Sequence, residues 1–93
     1  MMIRILGMDY QVHEIAELRD AGTAGAVDNQ LHILFLGGDR RDMPPGEAAE
    51  ILLHEIVHAI DYRLNLGLEE DQVHRLSAAL YAVISDNPGV FDG

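Results

Sequence analysis

The sequence has no cysteine. That excludes disulfides and thiolate metal ligands, so any zinc site has to be built from histidine and carboxylate. Basic residues are scarce, six against sixteen acidic ones, for a formal net charge of −10. Charge of that sign repels phosphates and anionic headgroups, so neither nucleic acid nor a membrane surface is an expected partner. No apolar run approaches the length of a membrane span. The stretch from Met1 to Leu6 is too short and too soon interrupted for a secretion signal. A cytoplasmic protein is therefore expected. What remains is 93 residues at 48% hydrophobic content, enough for one small domain over residues 1–93 with a core of its own.

The richest stretch runs from Pro45 to Leu64 and reads as one long helix. Ala48, Ala49, Leu52, Leu53, Ile56, Val57, Ala59, Ile60 and Leu64 form a broad apolar arc, which predicts that most of the helix is buried. The narrow remaining stripe carries Glu47, Glu50, His54, His58 and Asp61. Polar groups on a mostly buried helix need partners or a ligand. At about 100° per residue, His54 and His58 stand one above the other, where one cation can take both. Glu55 sits beside them, close enough to reach a water on the metal without being a ligand. This is the His-Glu-x-x-His arrangement of zinc peptidases.

Around that helix the pattern alternates between strands and turns. Ile3 to Leu6 is a short β-rich run ended by Gly7, and Tyr10 to Ile15 alternates as a half-buried strand. His13 and Glu14 are expected to face solvent. Ala16 to Asp20 adds a helical turn before Gly22. Ala24 to Val27 and Gln30 to Leu36 flank Asp28-Asn29, a pair suited to a tight hairpin turn. His32 is expected to be a surface residue of that second strand. Gly37 to Pro45 reads as a loop whose arginines are solvated. A second helix from about Glu69 to Asp86 follows a four-residue break and is expected to lie antiparallel to the first. Its predicted apolar face is Val73, Leu76, Leu80, Val83 and Ile84. Val90 to Gly93 reads as a loose tail or a small apolar patch.

A catalytic zinc takes three protein ligands and one open position. A third histidine six residues past the second is absent, since Leu64 stands there. The second helix must then supply the ligand. Glu69 is placed to cap it and Asp71 tips towards solvent, which selects Glu70, with His74 as the alternative. Asp61, one turn past His58, is a candidate acceptor for an imidazole N–H. With such a zinc, a zinc-activated water attacks a peptide carbonyl and Glu55 serves as general base.

Three segments carry a family resemblance: Leu52 to Asp61, Gly67 to Val73, and Leu80 to Pro88. They resemble the small zincin-like metallopeptidases of phages and prophages, similar to the ImmA/IrrE group and of the gluzincin type. In that group an alanine follows the ligand glutamate by three residues and an aromatic by six. Here Val73 and Leu76 follow Glu70 at those places. The resemblance implies an α+β, minimal zincin-like fold: three to four short strands in a twisted sheet, packed on the active-site helix with a second antiparallel helix. It also implies Zn2+ held by His54, His58 and Glu70, and a peptide or protein substrate. An extended peptide is expected to pair with the edge of the strand Gln30–Leu36. The competing expectation is a catalytically weak or inactive zincin-like interaction module.

Overall fold

The computed structural model describes residues 1–91. Asp92 and Gly93 lie outside the described residues, so the expected C-terminal tail is seen only at Val90 and Phe91, both exposed.

The first hairpin forms because two short apolar runs meet at a turn that twists the right way. Strands β1 (Met2–Ile5) and β2 (Met8–Glu14) pair antiparallel through Leu6 and Gly7, which both have positive φ, 49° and 83°. Such two-residue turns match the twist of the flanking strands. Along β2, Tyr10 and Val12 face the core, while His13 and Glu14 face solvent. Helix α1 (Ala16–Asp20) then carries the chain to β3 (Gly25–Asp28) and β4 (Ile33–Leu36).

The sheet order is β1-β2-β4-β3, with β2 and β4 parallel and β3 and β4 antiparallel. This corrects two expectations. The strand expected over Gln30–Leu36 spans only Ile33–Leu36, and it is interior, paired on both sides. The edge on this side of the sheet is β3. The turn at Asp28 is also longer than a two-residue hairpin, because the Asp28 carboxylate accepts from the N–H groups of Gln30 and Leu31 at 3.0 and 2.9 Å. Those local bonds carry the chain through Leu31 and His32 before pairing resumes. His32 therefore sits in the turn at φ 56°, its ring 5.0 Å from that of Tyr10.

Two helices complete the α+β domain: α2 (Glu47–Leu64) and α3 (Glu70–Asp86). Helix α2 begins after Gly46, whose φ of 87° sets the entry angle, two residues later than Pro45. Its Leu52 and Ala59 join Ile5, Tyr10, Val12, Leu34 and Leu36 in one buried cluster. Arg63, in the last turn of α2, donates to the carbonyls of Ile5 and Leu6 at 2.8 and 3.2 Å, tying the helix to the first hairpin. Helix α3 runs antiparallel to α2, since Glu70 meets His58 at one end while Tyr81 abuts Gly46 at the other. Among the described residues no helix is long and apolar enough to cross a membrane.

Candidate metal centre

Helix α2 presents its polar stripe away from the sheet, towards α3. His54 and His58 stack one turn apart with ring centroids 4.9 Å from each other. The first turn of α3 brings the third group. Glu70 reaches His54 Nε2 with Oε1 at 2.7 Å and His58 Nε2 with Oε2 at 2.8 Å. One ligand atom from each of the three residues lies within 4.8 Å of the others.

Several local devices put Glu70 there. Asn65 closes α2 in the left-handed conformation, and its N–H bonds to the Asp61 carbonyl. The Asp61 carboxylate accepts from the Leu68 N–H at 3.0 Å. Glu69 and Gln72 then form a reciprocal capping box that starts α3 one residue later, at Glu70. Asp61 thus differs from its expected place beside an imidazole: its carboxylate serves the connecting loop. Loop and cap together fix the register at which Glu70 faces the two histidines.

The alternatives for the third position separate cleanly. Asp71 pairs with Arg75 at 2.7 Å on the exposed side of α3. His74 lies one turn further, its ring centroid 6.1 Å from that of His54, and it lines the cleft outside the three-residue cluster.

Glu55 is 7% exposed. Among the described residues, no buried side-chain nitrogen or oxygen is left without a partner. Glu55 also lines a cleft of about 610 Å³. Burial pushes its carboxyl above the ordinary value; His54 opposes the rise and Glu70 adds to it. Gly25, at the start of β3, makes this packing possible. A Cβ there would stand 2.7 Å from Ile51 Cγ2 and 3.2 Å from Glu55 Cγ, so only glycine lets the strand come this close.

The donor set fits a zinc ion. Ligand atoms around a tetrahedral zinc at about 2.1 Å stand about 3.4 Å apart. Contacts of 2.7 and 2.8 Å mean that Glu70 bridges the histidines directly and has only to draw back slightly. Two imidazoles and a carboxylate, with open cleft on the remaining side, would give a metal ion three protein ligands.

Two of the cleft residues with no role expected from the sequence bear on the site. One is Gly25, for which a glycine inside a strand pattern is a usable signal of close approach. The other is Arg19. It comes from α1, donates to the Gly37 carbonyl at 3.0 Å and pairs with Glu47 at 3.2 Å. Nothing in the spacing of residues 16–20 announces that contact.

No protein-family model, curated protein or solved structure matches the chain.

Proposed function

We propose that the chain is a zinc-dependent metallopeptidase of the zincin-like kind. The observation that carries this reading is the convergence of His54, His58 and Glu70 on one point beside a buried carboxyl. A purely structural zinc site closes around four protein ligands, whereas three ligands facing an open cleft suit a catalytic one. Zinc, when bound, supplies Lewis-acid polarisation of the substrate carbonyl and makes a water acidic enough to ionise near neutral pH. Glu55 takes the proton of the attacking water on a carboxylate oxygen. As the C–N bond breaks, it delivers that proton to the leaving amine. Burial raises its proton affinity above that of an ordinary glutamate, which favours taking the proton.

Strand β3 offers the substrate its backbone. It pairs with β4 on one side only, and its first residue, Gly25, lines the cleft beside Ala24. An extended peptide added to that edge passes over Glu55. The peptide-receiving role expected of Gln30–Leu36 thus moves to Gly25–Asp28.

One observation favours a second reading, an interaction module. Leu76, Leu80, Val83 and Ile84 on α3 are all more than a third exposed, an apolar face of the kind that partners cover. Zinc content of purified protein, measured together with cleavage of a broad peptide library by the parent and by Glu55→Gln, separates the two. The peptidase reading expects one zinc per chain and cleavage that disappears in the variant. A zinc-loaded parent that cuts nothing favours the module.

A further inference from the structure

The charged side chains along the cleft wall are Glu47, Glu50, Glu55 and Glu70 and one cation, Arg19. An acidic trough repels the carboxylates of a substrate, and Arg19, although paired with Glu47, is the one cation on this wall with N–H donors left to receive one. We infer that Arg19 anchors a carboxylate of the bound peptide about three to five residues from the bond that is cut, an inference that rests on the peptidase reading above.

The guanidinium is half exposed and held by two contacts. Its Nε donates to the Gly37 carbonyl at 3.0 Å and its Nη2 to Glu47 at 3.2 Å. Room for it depends on Gly38, where a Cβ would stand 3.1 Å from Arg19 Nε. Arginine carries five N–H donors, so the two contacts leave others free to meet a planar carboxylate. A side chain already held in place loses little further entropy when a ligand arrives.

The offset follows from helix geometry. Arg19 is pinned to Glu47, seven residues before His54 and eleven before His58. At 1.5 Å per residue the metal ligands lie about 10–16 Å further along α2. An extended peptide advances about 3.3 Å per residue and covers that distance in about three to five. The carboxylate is either an acidic side chain at that offset or the terminal α-carboxylate of a peptide that ends there.

Binding separates this inference from turnover. Zinc-loaded Glu55→Gln protein is titrated, by fluorescence polarisation, with labelled alanine–leucine peptides carrying one glutamate or one glutamine at each successive position. A second set ends in a free carboxylate or a carboxamide. Glutamate is expected to bind about tenfold or more tighter than glutamine at one offset only, from the strength of a charge-assisted hydrogen bond, and to bind no better at the others. If the α-carboxylate is the natural ligand, the gain follows the free C-terminus instead. Adding Arg19→Gln should erase the difference, and Arg19→Lys should keep part of it, which guards against a variant that merely folds poorly. Equal affinity of each pair at every position, no measurable binding of the acidic members, or a preference that survives Arg19→Gln overturns the assignment. A parent that binds these peptides but cuts none counts against the peptidase reading alone.

Discussion

Helices α2 and α3 are nearly the same length, and they are held in very different ways. Helix α2 is enclosed along its middle, with Leu52, Glu55, Val57 and Ala59 all buried, between the sheet on one side and α3 on the other. Helix α3 buries only Val73 and Ser77 and leaves Leu76, Leu80, Val83 and Ile84 largely in solvent. The candidate centre straddles the two. Both histidines and Glu55 ride on the enclosed helix, and Glu70 comes from the loosely held one. The difference teaches that core packing positions two of the three candidate ligands, whereas loop and cap chemistry positions the third.

The sharpest way to break the comparison is at the enclosed helix. Glu55→Gln is expected to lower peptide cleavage by about 10²–10⁴-fold while leaving metal content intact. In the same assay His54→Ala and His58→Ala should each lose most of their zinc, measured by elemental analysis of protein purified without added metal. Full zinc retention in both single variants would rule out the metal centre.

Core truncation comes next. Leu34 is fully buried beneath α2, and Leu34→Ala should cost about 2–5 kcal/mol in denaturant unfolding. Leu80→Ala, on the exposed face of α3, should cost less than about 1 kcal/mol. Equal costs would mean that α3 is covered in solution.

The third ligand tests the loop. Glu70→Ala should weaken zinc binding well beyond Asp71→Ala, since only Glu70 reaches the histidines. Asp61→Ala removes the Leu68 bond without touching a ligand. It should lower stability by about 1–2 kcal/mol and weaken zinc binding by a smaller factor than Glu70→Ala. Isothermal titration with zinc reads the affinities, and denaturant unfolding reads the stability.

The smallest effect is electrostatic and is read on metal-stripped protein. The Glu55 carboxyl is raised in the folded chain, chiefly by burial. A raised carboxyl binds its proton more tightly when folded than when unfolded. Its contribution to stability is therefore fully present below the ordinary glutamate value, about 4.3. It declines as pH rises through the raised folded value. Glu55→Gln carries no such charge, so its melting temperature should exceed the parent's at neutral pH, and the gap should close on acidification. A gap independent of pH would show that Glu55 is not desolvated.

Much of this was legible in the residues. Two histidines four apart on an apolar helix must share a face, because helix geometry is local. The alternation through Tyr10 and Val12, the helical turn at Ala16–Asp20 and the capping place of Glu69 are local for the same reason. Glu70 could be singled out from its neighbours, because Glu69 was needed at the cap and Asp71 faced solvent. The sheet was another matter. Strand order depends on which edges meet after the chain has crossed over. Interior β4 and edge β3 are therefore set by pairing between residues far apart in sequence, and an apolar run looks the same in either place. Asp61 turned to the loop because the backbone N–H of Leu68 came within reach once α2 had ended at Asn65. The apolar face read for α3 is real as a periodicity, and of its five residues only Val73 is buried. Periodicity says which side chains lie together, but only the tertiary packing decides whether anything covers them. Arg19 makes the same point at the cleft: its sequence neighbours carry no sign of Glu47, twenty-eight residues away.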